Sequence, residues 1–134
     1  MIDVVAQLKI DEGYRRFLYK DSNGIWTIAY GRNIQNRGIT ESEAEYLLKN
    51  DIDDFAKQLR DRLYWFDSIH EDAQAVLIMM CFNMGLGGLL TFTHTLEHIK
   101  NENYKMAADD LLQSKYANQV GERAVRLANI LKAI

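Results

Sequence analysis

Two carboxylates and a hydroxyl lie close together near the start of the chain. Glu12 and Asp21 fall in the stretch LKIDEGYRRFLYKDSNGIWTIAYGRN, residues 8–33, and Thr27 follows them in the run IWTIAY. Glycoside hydrolysis needs this set: one carboxyl that delivers a proton to the leaving oxygen, and one ionised carboxylate that activates water or attacks. Glu12 sits near a helix end, where an apolar pocket or hydrogen bonds to its neutral form would let it carry the proton. Asp21 opens the polar turn DSNG and stays ionised. The residues alone leave a blander reading open, with Glu12 a surface acid and Asp21 the first residue of an Asx turn.

Other chemistries find less support. His70, His94 and His98 are the histidines, and of these His94 and His98 share one helix face at i, i+4. No HExxH pattern occurs, so the histidines read as structural or solvent-facing, and no metal or cofactor is expected. Neither a Ser/His/Asp nor a Cys/His signature is present. The stretch GLGG at 85–88 lacks a preceding strand and a Walker lysine, and reads as helix capping and close packing. Cys81, inside VLIMMCF, reads as a small buried hydrophobe rather than a reactive thiol. Arg123 and Arg126 are three apart and project from one helix face, either toward Asp11 and Glu12 or into solvent.

These groups need elements to hold them. Ile2, Val5, Leu8 and Ala6 predict a first helix with one apolar stripe, ending near Gly13. Tyr14 to Ile34 predicts a small antiparallel sheet or hairpin, closed by Gly31 and the NRG turn at 36–38. TESE at 40–43 is a capping box, and apolar residues then recur at Ala44, Leu48, Ile52, Phe55, Leu59 and Leu63. A helix over that stretch is roughly 35 Å long. SIHE at 68–71 predicts a second capping box, opening an apolar helix through AVLIMMCFNM that Gly85 stops. Shorter helices are predicted near 94–100, 104–113 and 121–132. The reading is one mostly helical α+β domain over 1–134. Its parts are a β-rich lobe at about 13–39, a connecting helix at about 40–63 and a helical lobe at about 64–134. Residues 1–12 are expected to pack on the helical lobe, and an extended ligand suits a groove between lobes.

Composition agrees with a globular domain: 134 residues, 48% hydrophobic and 26% charged. A single cysteine excludes an intramolecular disulfide and fits a reducing compartment. No signal peptide is read at the N-terminus, and the apolar run Ala75 to Phe82 is too short to span a bilayer. The net charge of −3 gives no argument for nucleic acid. From Gln113 to Ile134, however, four bases face one acid, a local +3 that leaves −6 elsewhere. That basic end could meet an anionic polymer, or be a solvated helix face. A monomer is expected.

The stretch at residues 8–33 resembles the N-terminal signature of the phage-type lysozymes, the muramidases that bacteriophages use as endolysins. That signature joins an acid-glycine pair at a helix end to an aspartate turn and a threonine in a T-I-G-x-G strand. The similarity continues in order through GITESEAEYLLKNDI, CFNMGLGGLLTF and SKYANQVGERAVRL. It implies a lysozyme-like two-lobe fold, with Glu12 as general acid, Asp21 as second catalytic acid and Thr27 holding the attacking water. It implies inverting hydrolysis of the β-1,4 bond between N-acetylmuramic acid and N-acetylglucosamine in peptidoglycan, with the carboxyls roughly 6.5 to 9.5 Å apart. Phe82, Thr95, Asn33 and Asp110 fall at glycan contacts. Arg123 matches a partner of the catalytic glutamate and Arg126 a partner of Asp11. Such an enzyme waits in the host cytoplasm until lysis.

The chain departs from that pattern in four places. Ala29 replaces the first glycine of T-I-G-x-G, Arg32 stands where some members have histidine, and Asp110 replaces an amide. The stretch before the long helix is also shorter. Two alternatives follow: a lytic transglycosylase on the same fold using Glu12 alone, and a non-catalytic wall-binding module, which Ala29 suggests.

Overall fold

A computed structural model describes residues 1–134. The chain forms two compact units, Met1–Leu47 and Leu48–Ile134. It has the predicted mostly helical α+β architecture, with one small antiparallel sheet.

The first unit opens with α1 (Val4–Glu12). Asp3 caps it, its Oδ1 accepting from the Ala6 N–H at 3.1 Å. Gly13 ends it as predicted, at a φ of +68° with its N–H bonded to the Lys9 carbonyl. The expected buried stripe is absent: Val5 and Leu8 are 64% and 48% exposed. At about 100° per residue, Val4, Val5 and Leu8 fall within one 100° arc, but Glu12 projects from that arc, Asp11 borders it, and Ile10 lies well away from it.

Strands β1 (Arg15–Lys20), β2 (Trp26–Ala29) and β3 (Arg32–Asn33) pair antiparallel in the order β1-β2-β3. The segment 36–38, expected as a plain turn, completes a short helix, α2 (Ile34–Arg37), which Gly38 terminates at a φ of +59°. The capping box then opens α3 (Glu41–Arg62). The Thr40 N–H donates to Glu43 Oε1 at 2.8 Å, and the Glu43 N–H to Thr40 Oγ1 at 3.1 Å. Within Met1–Leu47 one residue, Thr27, is buried.

The second unit carries the hydrophobic core. Leu59 enters it from the last turns of α3, and Phe66 from a single 3₁₀ turn, Phe66–Ser68. Helix α4 (Glu71–Leu90) contributes Ala73, Val76, Leu77, Met80, Cys81 and Leu89. Its N-cap corrects the sequence reading. His70, not Ser68, caps it, with Nδ1 accepting from the Asp72 N–H at 3.0 Å; the Ser68 hydroxyl donates back to the Trp65 carbonyl. At 20 residues α4 is long and apolar enough to cross a membrane by length and composition, which the shorter run Ala75 to Phe82 had understated. Gly85 breaks it at φ +75° and ψ +165°, and Gly88 packs so closely that a Cβ there would lie 3.0 Å from the Met84 side chain.

Helices α5 (Thr93–Lys100), α6 (Tyr104–Leu112) and α8 (Glu122–Lys132) match the predicted segments within a residue or two. Helix α7 (Lys115–Val120) was not anticipated; Ser114 caps it, accepting from the Ala117 N–H at 3.3 Å. Ile99, Ala107, Ala108, Leu111, Ala124, Leu127, Ala128 and Leu131 fill the space between these helices. Each larger side chain so buried contributes about 1.5–3 kcal/mol of transfer free energy. Burial also pushes the Cys81 thiol up to about 11, which makes it the inert packing residue the sequence suggested.

Candidate active site

Asp21 closes the β1–β2 hairpin. Its N–H donates to the Ile25 carbonyl at 2.9 Å, and its carbonyl accepts from the Gly24 N–H at 2.9 Å. Its side chain is half committed: Oδ1 accepts from the Asn23 and Ile25 N–H groups at 2.8 and 3.0 Å. Oδ2 has no partner in the protein. The Asx-turn reading is therefore correct as geometry, and it leaves one carboxylate oxygen for chemistry. Thr27 lies in β2 opposite Tyr19 and Asn33, and its hydroxyl donates to the same Ile25 carbonyl at 2.8 Å. With its proton so placed, that hydroxyl is left to act as an acceptor.

Glu12 is the last residue of α1, and its side chain is exposed rather than pocketed. Within the first unit no hydrogen bond holds its carboxyl, which rests against the backbone of Gly31. A Cβ built on Gly31 would lie 2.8 Å from Glu12 Cδ and closer still to Oε2. Gly31 also has a φ of +67°. Glycine is thus required there twice, for its backbone and for the space Glu12 occupies. Two residues earlier, Ala29 has a φ of +61°, in the left-handed region that a Cβ disfavours. The glycine-to-alanine departure seen in the sequence falls where glycine's freedom is useful.

Arg32 is fixed by three bonds. Nη1 and Nη2 grip Glu43 Oε2 and Oε1 at 2.6 and 2.9 Å, and Nη2 also donates to the Gly38 carbonyl at 3.0 Å. Hydrogen bonds from the Thr40 backbone, with the Arg32 guanidinium and the Thr40 side chain, hold the Glu43 carboxyl down at about 2. Asn33 caps α2, its Oδ1 accepting from the Asn36 N–H at 2.9 Å, and its amide nitrogen has no partner in the protein.

Asp11 lies beside Glu12 at the end of α1, and the other predicted residues divide between two sites in the second unit. Phe82, half exposed, meets Phe55 edge-on at 5.8 Å. It lines a groove of about 640 Å³ with Met79, Asn83, Arg123 and Arg126. Arg126 also lies 3.9 Å from Glu122 on its own helix. Thr95 and Asp110 line a separate cavity of about 450 Å³. Thr95 is buried, and its hydroxyl donates to Asp110 Oδ2 at 2.5 Å, leaving Oδ1 open. Tyr116 borders the same cavity with a buried hydroxyl that has no partner, and burial raises its phenol above the usual value. The sequence reading named Gly31 as closing the sheet but missed its contact with Glu12, and it missed Tyr116 and the Arg32–Glu43 pair. Of these, only Arg32 carried a signal, as a departure from the resembled pattern.

A family model described as phage lysozyme matches residues 9–129. The protein named "Probable T4-type lysozyme 1" from Dictyostelium discoideum is 25% identical over 93% of this chain and 91% of its own length. The SAR-endolysin of Enterobacteria phage P21 is 30% identical, and that of bacteriophage PS119 32% identical, each over 79% of this chain. The chain covers 65% and 64% of those two endolysins, just under two thirds. Because the family model spans nearly the whole sequence, with the acid, turn and threonine all inside it, this chain belongs to the phage lysozyme family and with it to the glycoside hydrolases.

Proposed function

We propose that this chain is an endolysin-type muramidase that cleaves the β-1,4 bond between N-acetylmuramic acid and N-acetylglucosamine in peptidoglycan by inversion. The observation that carries the reading is the shared acceptor of Asp21 and Thr27. The free Asp21 Oδ2 and the acceptor face of the Thr27 hydroxyl are the two sites a water needs to place both its protons. A water so held turns a lone pair toward the anomeric carbon of the muramic acid.

Glu12 then protonates the bridging oxygen as the bond from that oxygen to the anomeric carbon breaks. Water adds from the opposite face, and Asp21 takes the proton it loses. The product carries an inverted anomeric hydroxyl, and proton exchange with solvent returns Glu12 and Asp21 to their starting forms. Positioned acid–base catalysis of this kind contributes about 10²–10⁴-fold in rate. In the second unit, the half-exposed Phe82 ring offers a sugar face an apolar surface, and Asp110 Oδ1 offers a hydroxyl or amide an acceptor. The cleavage serves host-cell lysis.

A turbidity assay on outer-membrane-permeabilised cells tests the reading. The wild-type chain clears the suspension, and Glu12→Gln does not. Equal, slow clearing by both leaves a wall-binding module as the better description.

A further inference from the structure

We propose that Arg32 is a positioning residue for Glu12, acting through the backbone of Gly31; this rests on the reading of Glu12 as the general acid. Within Met1–Leu47 no hydrogen bond sets the Glu12 carboxyl, and the surface it rests on there is Gly31. Gly31 is held in the left-handed region at a φ of +67°, and a glycine peptide is easily rotated unless its neighbours are fixed. Its following neighbour is fixed. Arg32 is clamped to both oxygens of Glu43 and to the Gly38 carbonyl.

Glu43 is itself locked by the capping box at the start of α3, through reciprocal bonds with Thr40. A continuous chain of contacts thus runs from the α3 N-terminus through Glu43 and Arg32 to Gly31, and from there to the Glu12 carboxyl. Lysine in place of Arg32 keeps the charge but cannot grip two carboxylate oxygens and a carbonyl in one plane. The strand end then gains freedom, and the proton donor moves relative to the bond it must protonate. Displacements of about 1 Å at such a group cost on the order of 10²-fold in rate.

The test compares wild type, Arg32→Lys, Glu43→Gln and Glu12→Gln on two substrates. One is peptidoglycan, whose leaving sugar needs protonation; the other is a nitrophenyl glycoside of the matching disaccharide, whose leaving group does not. Arg32→Lys and Glu43→Gln should lower kcat on peptidoglycan at least tenfold, with KM within about twofold and thermal unfolding still cooperative. On the nitrophenyl substrate the deficit should shrink to threefold or less, the pattern that Glu12→Gln also shows. An equal deficit on both substrates makes Arg32 a purely structural residue and overturns the proposal. So does wild-type kcat in Arg32→Lys. If instead Glu12→Gln is fully active on peptidoglycan, the assignment of the acid itself fails, and the proposal fails with it.

Discussion

Asp21 and Thr27 share one acceptor: the Ile25 carbonyl takes the Asp21 N–H at 2.9 Å and the Thr27 hydroxyl at 2.8 Å. The hairpin turn and the buried strand residue are thereby set by a single backbone group. Asp21→Asn should keep the turn, because an amide oxygen can replace Oδ1, while losing the base. We expect kcat to fall about 10²–10⁴-fold, with the melting temperature moved by no more than a few degrees. Thr27→Ser should stay within several-fold of wild type and Thr27→Val should not. Steady-state kinetics on purified peptidoglycan check both, and an Asp21→Asn enzyme within threefold of wild type would remove Asp21 from the mechanism.

Ala29 holds a φ of +61°. Relief of left-handed strain is worth about 1–2 kcal/mol, and the added unfolded-state entropy of glycine offsets about 0.4–1 kcal/mol of it. Ala29→Gly should therefore stabilise the chain by about 0–1.6 kcal/mol on that arithmetic, seen as a higher denaturation midpoint at unchanged slope. Activity should be retained or raised. A lower midpoint would mean that the Ala29 methyl packs usefully and is not strained.

Acid should act on the Arg32–Glu43 clamp late. The folded-state value of Glu43, about 2, lies below its ordinary 4.5, so the interaction's stabilisation is complete above the ordinary value. It fades as pH falls from there and is gone below about 2. The difference in unfolding midpoint between wild type and Glu43→Gln should be constant from neutral pH down to about 5, then shrink toward pH 2. A difference that grows on acidification would contradict that sign.

What the sequence could and could not reveal follows from the range of each interaction. The TESE box was legible because both of its bonds close within three residues. SIHE has the same spacing, yet the imidazole of His70 took the cap, a competition no pattern resolves. Apolar spacing located α6 and α8 because their faces are buried. The same rule predicted a buried stripe on α1, where the apolar residues remain exposed. Glu12, Asp21 and Thr27 were nameable from residue type and resemblance. The contact of Glu12 with Gly31 was not, since it joins a helix end to a strand turn through space. Ala29 drew notice as a departure, but its backbone conformation, which gives that departure a cost, exists only in the folded hairpin.

The mass of the products released from purified peptidoglycan tests the central claim most directly. If Asp21 and Thr27 deliver water, every new glycan end carries a hydrated, reducing N-acetylmuramic acid, and Glu12→Gln releases none above background. Release of 1,6-anhydro-muramyl ends in place of the hydrated ones, or equal release by Glu12→Gln, would contradict the account.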